Sequence, residues 1–152
     1  MKSFLLLISA LFLITIQADA QKGQSESKAA AQIETAAMHK VIMQLTSNDT
    51  LAHKALMNQL KNLRDVWGDS AVIEVLIQGP GLDLLLQSKS TQPDNIAKLR
   101  KEGIHFVVCE HSMKQRKIVK EDLLPDLEFV KYGLVEIITR QEKGWSYLKA
   151  GF

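Results

Sequence analysis

The chain has 152 residues, of which 46% are hydrophobic and 24% charged, a composition ordinary for one globular domain with a sizeable core. Its formal net charge of +2 falls far short of the clustered basic surface that nucleic-acid binding requires, so we expect no nucleic-acid partner. The single cysteine excludes an internal disulfide.

The first twenty residues have the pattern of a secretory signal peptide. Lys2 gives a basic start, residues 4–16 form an apolar run, and Ala18-Asp19-Ala20 supplies the small residues that signal peptidase recognises. The run is shorter than the roughly 20 apolar residues that span a bilayer, which makes a retained membrane anchor the weaker alternative. We therefore predict cleavage after Ala20, a periplasmic or secreted location, and no stable membrane insertion of the mature chain.

The mature chain begins with a segment that has no apolar periodicity. Residues 21–37 are polar and Ala-rich and predict a flexible tether ahead of one domain at 38–152. The domain opens with an apolar run over 41–45, which predicts a buried strand, and a polar turn at 46–49 offers helix caps. Leucines at helical spacing then predict a helix that ends before Gly68.

The rest of the chain continues this alternation. A strand predicted over 71–77 ends in a glycine turn at 79–81. Helices are predicted, in chain order, at 82–86, 93–103, 113–117, 120–124 and 134–141. Further strands are predicted at 105–109, 127–131 and 145–148. Apolar strands that alternate with helices indicate an α/β three-layer sandwich with a mainly parallel, roughly five-stranded sheet and Rossmann-like topology.

Ligands and chemistry gather at the carboxyl ends of parallel strands, where three predicted segments meet. These segments are the turn at 46–49, the glycine turn at 79–81, and residues 109–111. We predict that they form a pocket lined by Asn48, Gly79, Pro80, Gly81 and Glu110. Dinucleotide-binding turns have the pattern Gly-x-Gly-x-x-Gly. The glycine turn has Leu84 at the third glycine position, so we do not expect it to bind a dinucleotide.

Cys109 is the main candidate for chemistry, with His111 as its base or hydrogen-bond partner. His111, Lys114 and Arg116 follow it closely, and cations and a helix start favour a thiolate, whereas a carboxylate at Glu110 opposes it. Two alternatives remain for the cysteine, an inert core thiol and an intermolecular crosslink. The alternative for the histidine is a solvated surface side chain.

Neither a metal site nor a cofactor is predicted. His105 and Cys109 share a strand face but lie about 13 Å apart, too far to chelate one ion. His111 and Cys109 would supply two ligands where structural zinc takes four. The sequence also has no Cys-x-x-Cys pair and no Gly-x-Ser-x-Gly elbow.

Several segments have a familiar order and spacing. They read Val-Leu-Ile-Gln-Gly-Pro-Gly-Leu-Asp-Leu-Leu-Leu at 75–86, Phe-Val-Val-Cys at 106–109, Asp-Leu-Leu-Pro at 122–125, Gly-Leu-Val-Glu at 133–136 and Gly-Trp-Ser-Tyr at 144–147. Together they resemble the secreted branch of the DsrE/DsrF-like sulfur-relay family. The resemblance implies a parallel α/β sandwich that assembles into trimers or hexamers. It also implies that Cys109 accepts sulfane sulfur as a persulfide and passes it on.

These observations predict an exported sulfur-binding or sulfur-transfer protein, a carrier rather than a turnover enzyme. Its partners would be sulfur donor and acceptor proteins or small thiols, and it would form a homo-oligomer. The alternative function is a non-catalytic oligomeric module that binds a small ligand or serves as a scaffold, with an inert Cys109.

Overall fold

The computed structural model describes residues 39–151. The predicted signal peptide at 1–20 and the predicted tether at 21–37 lie outside the described residues. The described strands form one sheet in the order β4-β3-β2-β1-β5, and every pair of neighbours is parallel. The strands are β1 His39–Leu45, β2 Ala71–Ile77, β3 Ile104–Cys109, β4 Glu128–Val130 and β5 Ser146–Lys149. The predicted α/β class with a mainly parallel five-stranded sheet is confirmed.

The connections between the strands contain α-helices and short 3-10 turns. The α-helices are α1 Thr50–Trp67, α2 Pro93–Lys101, α3 Glu110–Arg116 and α4 Gly133–Glu142. The 3-10 turns are Gly68–Ser70, Gly79–Leu84 and Lys120–Asp122. None of the helices between residues 39 and 151 is both long enough and apolar enough to span a lipid bilayer.

Two of the predicted helices are instead 3-10 turns. The helix expected at 82–86 begins earlier, at Gly79, and its bonds join residues three apart, from Gly81 N–H to Gln78 O and from Leu85 N–H to Leu82 O. The helix expected at 120–124 is a single 3-10 turn over Lys120–Asp122.

Helix α1 has clear start and stop residues. The Asp49 carboxylate accepts a hydrogen bond from Leu51 N–H at 2.8 Å, which caps the helix start. Gly68 ends the helix with a positive φ of 52°, which glycine adopts without strain, and its N–H donates to Arg64 O. The inward face buries Leu56 and Leu60 completely.

The sheet separates two hydrophobic cores because side chains alternate between the faces of each strand. The larger core, which includes Val75, Phe106 and the inward face of α1, fills one face. The smaller core fills the other face and consists of Ile42, Leu76, Val107, Ile137 and Trp145. Helix α4 covers this smaller core, and Ile137 is its buried apolar contact.

The C-terminal half of α4 contacts the sheet through Arg140 and the buried Glu74. Glu74 of β2 is 1% exposed, and its Oε2 lies 2.9 Å from Arg140 Nε. The same guanidinium pairs with Glu136 at 2.7 Å and lies over the Trp145 ring at 4.5 Å. Burial outweighs the nearby Arg140 charge and raises the pKa of Glu74 to about 7.

The buried Glu74 predicts a specific pH dependence of stability. The folded-state pKa of Glu74, about 7, lies above the usual 4.5. The protonated side chain therefore contributes its full stability below about pH 4.5, and this stability is lost as the pH rises through 7. Relative to Glu74→Gln, the wild type should lose roughly 3 kcal/mol of unfolding free energy over that window. Urea titrations at several pH values measure this difference, and a difference independent of pH would contradict the assignment.

The main core predicts a contrast between two leucines of α1. Leu56 is 0% exposed and Leu51 is 64% exposed. Replacing Leu56 with Ala should lower the unfolding free energy by about 2–5 kcal/mol, because a cavity remains. Leu51→Ala is the matched control and should change it by less than about 0.5 kcal/mol. Equal losses in denaturant unfolding would show that α1 does not pack as described.

Candidate functional site

A cavity of about 550 Å³ opens at the carboxyl edge of the sheet. Its walls come from the segments that follow β1, β2 and β3 and from the first residues of α3 and α4. Because all the strands are parallel, their carboxyl ends meet at one edge, which brings these distant parts of the chain together.

Cys109 lies at the inner end of this cavity. It is the last residue of β3 and the N-cap of α3, and it is 3% exposed. Its Sγ accepts a hydrogen bond from Gly133 N–H at 3.3 Å, and Gly133 is the first residue of α4. The sulfur is therefore in contact with the positive end of a ten-residue helix. Because the residue is otherwise buried, the cavity provides the approach to its thiol.

Gly133 makes this approach possible because it has no side chain. A Cβ at this position would overlap Gln78 Oε1 and would lie 3.1 Å from Leu76 Cδ2 and 3.4 Å from Cys109 Cβ. Any larger residue would push the start of α4 away from the sheet. The hydrogen bond to the sulfur therefore depends on this glycine.

His111 lies on the rim of the cavity. Its ring is 5.5 Å from the Tyr132 ring, in a tilted arrangement, and its backbone N–H donates to Lys131 O at 3.2 Å. No residue between 39 and 151 forms a hydrogen bond with its imidazole. The side chain is exposed and available to a molecule that enters the cavity.

The sequence profile of the DsrE/DsrF-like family matches residues 10–150, which is most of the chain. The chain belongs to the DsrE/DsrF-like family. This membership suggests a role related to sulfur relay. No curated protein gives a significant match.

Solved structures show the same fold. One is a protein of unknown function from Methanobacterium thermoautotrophicum, with 24% identity and a TM-score of 0.63 over 73% of this chain and 98% of that one. Another is the ychN protein of E. coli, with 15% identity and a TM-score of 0.59 over 74% and 99% of the two chains. A third, from Bacteroides thetaiotaomicron, has 14% identity and a TM-score of 0.54 over 72% and 93%.

In this DsrE/DsrF-like protein, four of the residues predicted for the site line the cavity. They are Gly79, Pro80, Cys109 and His111. The two turn residues lie in the 3-10 turn that follows β2, opposite the start of α3. These four residues lie at one cavity because the carboxyl ends of the parallel strands meet at one edge of the sheet.

The other three predicted pocket residues do not line the cavity. Asn48 is exposed in the turn after β1, whose shape is held by a hydrogen bond between His53 Nε2 and Ser47 O at 2.8 Å. Gly81 is buried, and a Cβ there would lie 2.6 Å from a backbone oxygen of β1. Glu110 is exposed, and its carboxylate lies 3.8 Å from a lysine ammonium of the next turn.

The sequence interpretation did not include the start of α4. Tyr132, Gly133, Leu134 and Val135 line the cavity together with Thr46, Gln78, Ser112 and Gln115. The sequence could have indicated the start of α4, because a helix that follows a parallel strand also begins at the carboxyl edge of the sheet. Gln78 directly follows β2 and could have been included by the same rule.

Arg116, one of the cations that follow Cys109 in the sequence, binds the glycine turn. Its guanidinium donates to Gly79 O at 2.9 Å and pairs with Asp83, which also binds Lys89 Nζ at 3.1 Å. Burial opposes ionisation of Asp83, but the hydrogen bonds from Arg116 and Lys89 outweigh it and hold the pKa below its usual value. This pair fixes the position of the turn against α3.

Among residues 39–151, no group of three or more His, Cys, Asp or Glu side chains is arranged to hold a metal ion. The titratable side chains that line the cavity are those of Cys109, His111 and Tyr132.

Proposed function

We propose that the protein carries sulfane sulfur as a persulfide on Cys109. The observation that supports this function is the hydrogen bond from Gly133 N–H to Cys109 Sγ inside the cavity. The backbone N–H orients the sulfur at the cavity, and the thiolate is the nucleophilic form of a cysteine. Membership of the DsrE/DsrF-like family supports the same class of role.

The proposed loading step conserves atoms and electrons. The Cys109 thiolate attacks the outer sulfur of a persulfide R–S–S–H, so that the Sγ–S bond forms and the S–S bond of the donor breaks. The products are Cys–S–S–H and the thiolate R–S⁻. In this proposal His111, on the rim, accepts the proton of the Cys109 thiol before the attack and then gives it to the leaving thiolate. The reverse step delivers the sulfur to an acceptor thiol.

The partners and assembly are also proposals. Donors and acceptors would be proteins or small thiols, and the protein would act as a homo-oligomer, a trimer or a hexamer. Both statements derive from the family resemblance.

The low exposure of Cys109 favours a second candidate, in which the thiol is inert and the protein is a binding or scaffold module. The residue is 3% exposed, as expected for a cysteine that fills a core. Thiol titration of the native protein separates the two candidates. Labelling that requires denaturant would favour the module.

We also propose that the protein is exported. The basic start, the apolar run at 4–16 and the small residues up to Ala20 support this proposal.

Sulfur loading gives a direct test of Cys109. After incubation of the native protein with inorganic polysulfide, we expect the peptide that contains Cys109 to gain the mass of one sulfur atom. Cys109→Ser is the control. It should show no gain but remain folded, with an unfolding free energy within about 1–2 kcal/mol of wild type. A native protein that gains sulfur only after denaturation would contradict the carrier function.

Export can be tested by expressing the full chain in a bacterium. We expect a mature form that begins at Gln21, found outside the cytoplasm by fractionation and identified by N-terminal mass spectrometry. Insertion of a charge into the apolar run, as in Leu6→Arg, should block this processing. A wild-type chain that stays in the cytoplasm with its first twenty residues attached would refute the proposal.

A further inference from the structure

The cavity beside Cys109 is larger than a carried sulfur atom requires. Its volume of about 550 Å³ falls in the range of small-molecule sites, roughly 300–1,000 Å³. A water molecule, close in size to one bound sulfur, takes about 30 Å³. The remaining volume can hold an organic group attached to the sulfur that is transferred.

The walls of the cavity are mostly apolar. Pro80 and Tyr132 contribute ring surfaces, and Leu134 and Val135 extend from the first turn of α4. Leu134 is 63% exposed and Val135 is 58% exposed in the single chain. An apolar ligand would remove this surface from water, which is favourable in proportion to the area buried.

Charged side chains are absent from the described lining. No Lys, Arg, Asp or Glu between residues 39 and 151 lines the cavity. Arg116 on α3 is paired with Asp83, and Glu110 is paired with Lys120. Lys131 lies outside the lining, with its ammonium 5.5 Å from the Tyr132 ring. A ligand with a charged group would therefore lose water and meet no Lys, Arg, Asp or Glu side chain among the lining residues, which is costly.

Neutral hydrogen-bonding groups are present instead. Ser112 lines the cavity at 7% exposure, and its hydroxyl forms no hydrogen bond with residues 39–151. The side-chain amides of Gln78 and Gln115 also line the cavity and have no hydrogen-bond partner in that part of the chain. These uncharged donors and acceptors can form hydrogen bonds with a neutral polar group of a ligand that enters the cavity.

We infer that the sulfur donor or acceptor is an uncharged organic thiol with a mainly apolar body and a neutral polar group. This inference rests on the proposed function and specifies its substrate class. The apolar body lies against Leu134 and Val135, and the neutral polar group binds Ser112 or the amides. The donor enters as R–S–S–H, the Sγ–S bond forms as the donor S–S bond breaks, and the electron pair leaves with R–S⁻, so no oxidant is needed.

The test compares two donors that differ in charge, n-butyl persulfide and the persulfide of 2-mercaptoethanesulfonate. We divide the rate of sulfur addition to Cys109 by the rate of the same donor with free cysteine. This ratio corrects for the difference in intrinsic reactivity between the two donors. We expect the butyl donor to be preferred by at least about tenfold, the factor that burial of two methylene groups supplies. Equal corrected rates, or a preference for the sulfonate, would overturn the inference.

Inorganic polysulfide separates failure of the inference from failure of the proposed function. If polysulfide loads Cys109 but neither organic persulfide does, or both do so equally, the substrate class is wrong and the carrier function stands. If no donor loads Cys109 in the native protein, both are wrong.

Two lysine substitutions on α4 test whether the cavity determines the preference between the two donors. Leu134→Lys places a cation at the cavity and should shift the ratio of corrected rates by about tenfold towards the sulfonate donor. Ile138→Lys is the matched control, since Ile138 is 56% exposed on the same helix and does not line the cavity. It should keep the wild-type ratio. An equal shift in both variants would overturn the assignment of selectivity to the cavity, and circular dichroism checks that both remain folded.

Discussion

The contact between the start of α4 and the end of β3 is the constraint on which the site depends. Gly133 brings a backbone N–H to Cys109 Sγ at 3.3 Å, and the missing Cβ is what allows this distance. The rest of α4 keeps the contact in place, because Ile137 packs into the smaller core and Arg140 pairs with the buried Glu74. The helix is thus attached to the sheet at both ends, with its positive end fixed on the thiol. A buried ion pair more than one helical turn away therefore helps to set the surroundings of the sulfur.

Much of the fold could be predicted from the sequence, because apolar runs and helical spacing carry direct physical information. The three central strands follow apolar runs, and Gly68 ends α1 where the sequence indicates. Parallel topology then brings Gly79, Pro80, Cys109 and His111 to one edge. The 3-10 turns were harder, since only local hydrogen-bond geometry distinguishes them from short α-helices.

The rest of the lining could not be predicted because it depends on side-chain direction and on close approach. Glu110 is next to Cys109 in the chain, but as the first residue of α3 it points to solvent. Gly81 is part of the glycine turn, yet it packs against the end of β1. Gly133 directly precedes the helix predicted at 134–141, and its importance appears only from its close approach to Gln78 and Cys109.

The 3% exposure of Cys109 has a consequence for how long a sulfur atom could stay on the protein. Reductants and oxidants in the surrounding fluid collide freely with an exposed thiol, whereas here they must first enter a mostly apolar cavity. The lifetime of a persulfide on Cys109 would then depend mainly on which molecules can enter the cavity, and only weakly on the redox state of the compartment.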